Sequence, residues 1–490
     1  MVNKKLFLLI LFCSLLVLIT GLTSELSLGD EVYHYRFARD TFNAGKRVAF
    51  DSLYGSGNPP AYFYDTDPLW HLLLVSVWKL FGRVSFPIAQ FYHTIYYALL
   101  ILFTYLLGKE LYGEKQGLYS ALIVATIPAV VTFSILFYLD IPATCLSVLC
   151  ILLILKRRFL WSGVVLGLMY LMKSNTWFFI PAFITLILYQ AKVNFRYKIK
   201  NLLYIFVPAF LIILPDFFWR EKNLKSTVLS VNAVHSLGTF EGLIERVVVV
   251  DWKLRAKEHY NSYLLNPLDI VKYFGVVLLI ASAIYAIFKI YKKKDLILWL
   301  LIISYFLLFC YLFTPTSDIR YILPIVPLLA ILSSKAVISY SRKKWLKALI
   351  TFLCLLQFGS TLLYVNTKRQ IPKGIKEGFV YLREKTAPDS LIIYPEYVIL
   401  EAANRRFVWA GRLVNALVDI FWNNDESQVR KSLKANGIDY IAIKKSRIYD
   451  DSKVRNFKGY PKSFIERLPK LPFVKLVFDN NEISIWQVKR

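Results

Sequence analysis

The sequence predicts a polytopic α-helical membrane protein, with about 11 transmembrane helices and a C-terminal extracytoplasmic α/β domain. Hydrophobic residues make up 57% of the 490 residues, whereas soluble domains average roughly 45–50%. The mean hydropathy is +0.48. The formal charge is +27, but the 60 Lys and Arg residues punctuate long apolar runs and are not gathered on one polar domain. This distribution argues against nucleic-acid binding, so we expect a lipid bilayer and no nucleic acid as partner.

About eleven apolar runs approach the roughly 20 residues that a helix needs to span a bilayer. They are Leu6–Leu22, Phe91–Leu107, Leu118–Phe137, Ile141–Leu155, Phe159–Met172, Trp177–Tyr189, Leu202–Phe218, Ile270–Phe288, Leu296–Phe313, Tyr321–Ile338 and Leu346–Val365. The segment after the first run, Thr23-Ser24-Glu25, lacks a clear signal-peptidase site, so we expect an uncleaved anchor. Pro68–Phe81 is apolar but short, which favours an interfacial helix.

The basic clusters predict the orientation of the chain in the membrane. If the N-terminus is cytoplasmic, alternation of the spans places every basic cluster between closely spaced spans on the cytoplasmic side. These clusters are Lys109/Lys115, Lys156-Arg157-Arg158, 192–200, 289–294 and 342–347. We therefore expect a multi-pass protein of the plasma membrane whose N-terminus is cytoplasmic and whose C-terminal domain is extracytoplasmic.

The same count predicts two domains. Residues 1–365 form a transmembrane catalytic domain that includes the outer loops 24–90 and 216–269, and residues 366–490 form the extracytoplasmic domain. This tail alternates helix-like stretches with strand-like ones, a mixture typical of a small α/β domain. The helix-like stretches are Lys373–Lys385 and Glu426–Asn436, and the strand-like ones are Ser390–Tyr394, Asp439–Ile443 and Glu482–Val488.

Ionisable side chains on the predicted outer side form the candidate site, because such groups are costly beside a membrane. Asp30 and Glu31 begin a helix-like stretch just after the first span. Adjacent helical positions are about 100° apart, so these two acids cannot both face one ligand. Asp140 begins the next outer turn. Lys173 and Arg320 are cations on the side that usually lacks them.

Each of these residues also has a structural explanation. Acidic residues stabilise helix N-termini, a lysine at a helix end snorkels towards water, and an arginine pairs with a nearby aspartate, here Asp318. The set is more informative than its members. Carboxylates act as general bases on a hydroxyl or amine, and cations at the membrane hold a lipid-linked phosphate. Together they indicate transfer from a lipid-phosphate donor.

The ordered motifs resemble a known family. Gly29-Asp30-Glu31-x-Tyr33 is followed by Asp67-Pro68-Leu69-Trp70, by the outer Asp140, by Gly167-Leu168 ahead of Lys173, and by Arg320-Tyr321-x-Leu-Pro-x-x-Pro327. In this order they resemble the GT-C glycosyltransferases, in particular the branch of protein O-mannosyltransferases and the lipid A aminoarabinose transferase. One motif departs from the family pattern, because Lys173-Ser174-Asn175 replaces the common Lys-Gly-Pro.

The resemblance implies an inverting hexosyl or pentosyl transferase that uses a polyprenyl-phosphate-linked sugar. The acceptor would be a lipid, a glycan or a protein. It implies no cofactor and no metal. The catalytic residues it implies are Asp30 as base and Asp140 as the second outer acid, with Glu31 as base if the register differs by one residue. Lys173, Arg320 and Tyr321 would bind the donor phosphate, and Asp67 and His71 are weaker candidates for contact with acceptor or sugar.

Two alternative functions remain open at this stage. A polytopic transporter would carry its charges near the bilayer midplane and often shows inverted repeats. A sugar-polymer ligase or polymerase of similar architecture is the nearer enzymatic alternative. A non-catalytic scaffold would have no need for this combination of charged residues. Convergence of four charged side chains on one outer cavity would favour the enzyme: Asp30, Asp140, Lys173 and Arg320.

Overall fold

The computed structural model describes residues 3–48, 67–190, 195–224, 274–275, 277–278, 282, 295–306, 319–340, 344–396, 398–409, 419–450 and 459–489. Most of the predicted span Ile270–Phe288 and most of the predicted outer loop 216–269 lie outside these residues, as does Asp318. The chain divides into two compact units. The first comprises Met1–Thr23 and Thr66–Thr367, and the second comprises Ser24–Asp65 and Lys368–Arg490.

The described helices and strands are named here in chain order. The helices are α1 (Lys4–Thr23), α2 (Asp30–Ala44), α3 (Leu69–Leu80), α4 (Phe86–Tyr112), α5 (Glu114–Thr126), α6 (Pro128–Ile135), α7 (Asp140–Leu155), α8 (Phe159–Met172), α9 (Ile180–Gln190), α10 (Phe195–Leu224), α11 (Asp295–Tyr305), α12 (Val326–Tyr340), α13 (Lys344–Lys368), α14 (Lys373–Lys385), α15 (Ile399–Ala402), α16 (Glu426–Ala435) and α17 (Lys462–Arg467). The strands are β1 (Leu391–Tyr394), β2 (Arg406–Trp409), β3 (Tyr440–Lys444), β4 (Ile448–Tyr449), β5 (Tyr460–Pro461), β6 (Val474–Asp479) and β7 (Ile483–Val488). Short 3₁₀ helices cover Ser174–Phe179 and Ile319–Ile325.

Five helices within the described residues are long and apolar enough to cross a membrane. They are Lys4–Thr23, Phe86–Tyr112, Arg196–Lys222, Arg320–Ile338 and Trp345–Lys368. The pair α5 and α6 would make a sixth span, bent by 59° at Ile127, where Pro128 begins the second helix. Other predicted spans form shorter helices. For example, α7 has 16 residues and is about 24 Å long, short of the roughly 30 Å hydrocarbon layer. The predicted number of about eleven spans therefore stays a prediction.

Small residues let α8 approach α10 closely. A Cβ atom on Gly163 would lie 2.3 Å from the carbonyl oxygen of Ile205, and one on Gly167 would lie 2.9 Å from that of Ala209. This Gly-x-x-x-Gly spacing puts both glycines on one helix face, where membrane helices pack backbone against backbone. The contact fixes the axis of α8, whose last residue immediately precedes Lys173.

The second unit is built on a five-stranded mixed sheet of order β2-β1-β3-β7-β6. The pairs β1–β2 and β1–β3 are parallel, whereas β3–β7 and β6–β7 are antiparallel. Alternate residues of a strand point to opposite faces, so Leu391 and Ile393 enter one core and Ile392 and Tyr394 the other. Helices α16 and α17 pack into the first core and α14 into the second.

The predicted domain boundaries differ from the observed division. Residues 24–65, predicted as an outer loop of the transmembrane domain, group with the C-terminal unit, which begins at Lys368 instead of residue 366. The physical reason is the apolar side of α2. Val32 and Phe37 are buried in the same core as Ile375 and Phe379 of α14. Burying these side chains in the sheet's second core ties the segment to the tail.

Candidate active site

The first part of the site is an ion pair between two predicted residues. Helices α7 and α8 are joined by a short turn, so the start of α7 and the end of α8 lie at the same end of a helical hairpin. Asp140 is the first residue of α7, and Lys173 caps α8 in an extended conformation. Lys173 Nζ donates a hydrogen bond to Asp140 Oδ1 at 2.5 Å. The pair is largely buried, with 13% and 2% of the side chains exposed.

Aromatic rings bring Arg320 and Tyr321 to the same place. Lys173 Nζ lies 5.1 Å from the centroid of the Tyr321 ring. The Arg320 guanidinium lies 5.2 Å from that ring and 5.0 Å from the ring of Tyr138, within the range of cation–π attraction. Arg320 Nη2 also donates a 3.5 Å hydrogen bond to the Tyr321 hydroxyl. Asp140, Lys173, Arg320 and Tyr321 thus lie together, and Tyr138, two positions before Asp140, joins them; Asp30 is not part of this cluster.

The charge at this point favours an anion. Among the described residues, two cations, Lys173 and Arg320, lie at this point beside the carboxylate of Asp140 in a partly buried setting. Within the described part of the chain, Asp140 Oδ2 and Asn175 Oδ1 have no hydrogen-bond partner although both atoms are buried. Acceptor oxygens beside cations suit a ligand that carries both a phosphate and hydroxyl groups.

Asp67 and His71, predicted to contact acceptor or sugar, are fully buried. Asp67 Oδ2 accepts hydrogen bonds from the Ser174 backbone N–H at 3.0 Å and the Ser174 hydroxyl at 3.3 Å. His71 Nδ1 lies 3.1 Å from the Asp67 carbonyl oxygen. Asp67 therefore fixes the backbone directly after Lys173, which serves to position that lysine.

Two residues behind Asp67 were not predicted. Arg220 Nη2 lies 4.0 Å from Asp67 Oδ1, and Arg220 Nε donates to Asp216 Oδ2 at 2.6 Å. Both side chains are at least 95% buried. The sequence carries a weak signal for them, because Asp216 and Arg220 are spaced four apart at the end of an apolar helix.

Glu31, the alternative candidate for the base, lies in an internal ion pair. It is fully buried and forms a two-pronged ion pair with Arg369, with N–O distances of 2.8 Å and 3.2 Å. Its Oε1 also accepts hydrogen bonds from the backbone N–H groups of Ser27 and Leu28. Burial raises the pKa of Glu31, and Arg369 and the two backbone donors oppose that rise. With its oxygens held by these donors, Glu31 anchors the segment that precedes α2.

Asp30 lies in a different environment from Glu31. It is half-buried and lines a cavity of about 520 Å³ inside the second unit. Gly29, just before it, has φ +50°, a conformation that side chains rarely adopt. The expected divergence of two adjacent helical positions therefore holds, since Glu31 is buried and Asp30 faces a cavity. Across the described ranges, no group of three His, Cys, Asp or Glu side chains is close enough to hold a metal ion.

Comparisons with known proteins fit this arrangement. Residues 65–219 match the model of the Dolichyl-phosphate-mannose-protein mannosyltransferase family. The oligosaccharyltransferase AglB from Archaeoglobus fulgidus, solved with an inhibitory peptide and a dolichol-phosphate, has a TM-score of 0.62 at 15% identity, over 90% of this chain and 69% of that one. ArnT from Cupriavidus metallidurans, solved with undecaprenyl phosphate, has a TM-score of 0.58 at 10% identity, over 99% and 98%.

The arabinofuranosyltransferase AftD from Mycobacteria has a TM-score of 0.52 at 13% identity, over 98% of this chain and 40% of that one. AglB, ArnT and AftD are all GT-C glycosyltransferases. This chain has the GT-C fold. The resemblance predicted from the motifs is thereby confirmed at the level of the GT-C fold. No curated protein sequence gives a significant match.

Proposed function

We propose that this protein is an integral membrane glycosyltransferase that moves a sugar from a polyprenyl-phosphate donor to an acceptor on the extracytoplasmic face. The observation that carries the proposal is the cluster of Lys173, Asp140, Arg320 and Tyr321. The GT-C fold supports it, because AglB and ArnT were solved with dolichol-phosphate and undecaprenyl phosphate. The enzyme would reside in the plasma membrane with its N-terminus in the cytoplasm.

Lys173 and Arg320 would bind the donor phosphate. Hydrogen bonds to charged groups contribute about 1.5–3 kcal/mol each. Asp140 is paired with Lys173, and Arg320 adds a second cation at the same point. Asp140 would also orient Lys173, and its second oxygen is placed to accept a hydrogen bond from a sugar hydroxyl. The rings of Tyr138 and Tyr321 both lie close enough to the guanidinium to attract it.

The transfer would be a single displacement with inversion. The acceptor oxygen or nitrogen attacks the anomeric carbon, the bond from that carbon to the phosphate oxygen breaks, and the acceptor proton goes to a carboxylate. A base is required because the acceptor must lose its proton as the new bond forms. A general acid is not required, because phosphate is already a good leaving group. We assign the base to Asp30, since Glu31 is fully paired and Asp30 faces a cavity.

Binding of undecaprenyl phosphate to the full chain in nanodiscs tests the donor site. We expect Arg320→Gln to weaken binding roughly 10- to 100-fold, as for the loss of a charged hydrogen bond. Lys156→Gln is the matched control, because Lys156 also pairs with a carboxylate, Glu110 at 3.7 Å, yet lies at a predicted cytoplasmic connection. The proposal fails if Arg320→Gln and Lys156→Gln bind this lipid as tightly as the wild type.

A further inference from the structure

His93 of α4 is a fully buried, ionisable side chain that the proposed transfer does not use. Each of its ring nitrogens has a hydrogen-bond partner. The indole Nε1 of Trp70, which can only donate, lies 3.2 Å from His93 Nδ1. His93 Nε2 lies 3.1 Å from the carbonyl oxygen of Phe133. Because Nδ1 must accept the indole proton, the imidazole is neutral and carries its own proton on Nε2, which donates to the Phe133 carbonyl.

The Phe133 carbonyl group lies in the last turn of α6, which ends at Ile135. The last four carbonyl groups of a helix have no partner within that helix, and leaving one unpaired is costly away from water. Phe133 is buried, and α6 belongs to the bent pair of helices that would form one span. His93 therefore caps the end of α6 from the neighbouring helix α4.

The cap lies directly before the turn that leads to the donor cluster. The two aromatic residues of this turn have different neighbours. The Phe137 ring is fully buried and packs edge to face on the His93 ring, with centroids 5.6 Å apart. The Tyr138 ring lies 5.0 Å from the Arg320 guanidinium. The side chain that ends α6 thus also supports the residue next to Tyr138.

We propose that His93 is a positioning residue for the donor site. By capping α6 and packing on Phe137, it fixes the turn that presents the Tyr138 ring to Arg320. Trp70 holds His93 in the tautomer that forms the cap. All of these residues belong to the first unit. The effect on donor binding rests on the proposed function, whereas the placement of Tyr138 beside Arg320 is measurable without a donor.

A double-mutant cycle of Tyr138→Leu and Arg320→Gln measures that placement through SDS unfolding of the full chain. We expect coupling in the wild type, its loss in His93→Leu, and its recovery in His93→Gln, whose amide keeps a donor and an acceptor. Trp70→Phe, which keeps a ring but removes the N–H, should reduce the coupling and decides the matter if His93→Leu does not fold. Absence of coupling in the wild type, or undiminished coupling in these two variants, would overturn the proposal.

Binding of undecaprenyl phosphate to the full chain in nanodiscs measures the consequence for the donor. Loss of a cation–π contact should weaken binding about 3- to 10-fold, so we expect this effect for His93→Leu and for Tyr138→Leu. Because both act on the same contact, the double variant should bind no more weakly than either single variant. His93→Gln should bind like the wild type. Losses that add in the double variant would show that His93 does not act through Tyr138.

Tyr97→Phe is the matched control for a merely structural role. Tyr97 is also a fully buried residue of α4, and its hydroxyl donates to the carbonyl oxygen of Ala125 in the last turn of α5. Loss of this hydrogen bond should lower stability without weakening the binding of undecaprenyl phosphate. Equal weakening by Tyr97→Phe and His93→Leu would reduce the role of His93 to stability.

The two measurements separate this proposal from the proposed function. If Arg320→Gln leaves the binding of undecaprenyl phosphate unchanged while the coupling still depends on His93, the donor assignment fails and the positioning role stands. If the lipid binds through Arg320 while the coupling is independent of His93, the donor site stands and the positioning role is wrong.

Discussion

The ion pair between Lys173 and Asp140 provides a quantitative test of how the donor site is built. Removing one partner of a buried pair leaves the other charge uncompensated, which costs about 3–5 kcal/mol. The lower end applies here, since 13% of the Lys173 side chain is exposed. We expect Lys173→Met to lower the free energy of unfolding by about 3 kcal/mol, and Asp140→Asn to do the same. Because the double variant leaves no unpaired charge, it should lose only about 1 kcal/mol more than either single variant, or less.

The measurement is a double-mutant cycle on the full chain, unfolded by SDS in mixed micelles. We expect a coupling energy of at least about 2 kcal/mol, because the two side chains contact each other. The pair Lys156–Glu110 is the control: it is 47% and 43% exposed at 3.7 Å, and should couple by less than about 0.5 kcal/mol. If the losses in free energy of unfolding for the two single variants simply add in the double variant, the two side chains do not interact as a buried ion pair.

The same double variant separates stability from function. If Lys173 contributes a positive charge to phosphate binding, the affinity of the refolded double variant for undecaprenyl phosphate should remain lower than that of the wild type. Wild-type donor affinity in the refolded double variant would mean that Lys173 acts only through the fold. Loss of donor affinity in the refolded double variant would assign the lysine to the donor.

Three further outcomes are expected. Asp30→Asn should lower turnover by roughly 10²–10⁴-fold, the usual effect of removing a general base, with donor binding unchanged; equal turnover would exclude Asp30 as base. Gly167→Val should destabilise the α8–α10 contact by about 1–3 kcal/mol in SDS unfolding. Gly359→Ala should not, because a Cβ atom at Gly359 would meet no neighbouring atom within 4 Å, and equal effects of the two variants would contradict the close packing. In a cysteine-free background, an impermeant maleimide should label Lys431→Cys in intact cells but not Arg158→Cys, and the reverse pattern would invert the topology.

The sequence predicted the elements of the second unit closely where the signal is local. The predicted helix Lys373–Lys385 is present with the same bounds, and the strand-like stretch Ser390–Tyr394 contains β1, Leu391–Tyr394. Hydrophobic periodicity and turn residues act within a few positions, so a single sequence records them. The sequence did not assign α2 to this unit, because its contact with α14 joins residues more than 300 positions apart.

In the candidate site too, local features were predicted from the sequence and contacts between distant residues were not. Lys173, Asp140 and Arg320 were predicted together because each is a charged residue at the same predicted face of the membrane, and the resemblance to the family added Tyr321. Their supports were not predicted. Arg220 and Asp67 are both charged residues beside apolar segments, and nothing local distinguishes a buried positioning pair from a ligand contact. Glu31 was ambiguous for the same reason, since its partner Arg369 lies at the other end of the chain.

Mass spectrometry of glycolipids and glycans from a deletion strain tests the proposed glycosyl transfer most directly. We expect one glycoconjugate to lose a single sugar and the matching polyprenyl-phosphate sugar to accumulate. The wild-type chain should reverse both changes, whereas Asp30→Asn and Arg320→Gln, expressed at wild-type levels in the membrane, should reverse neither. A deletion strain with unchanged glycoconjugates and no accumulated lipid-linked sugar would contradict the account.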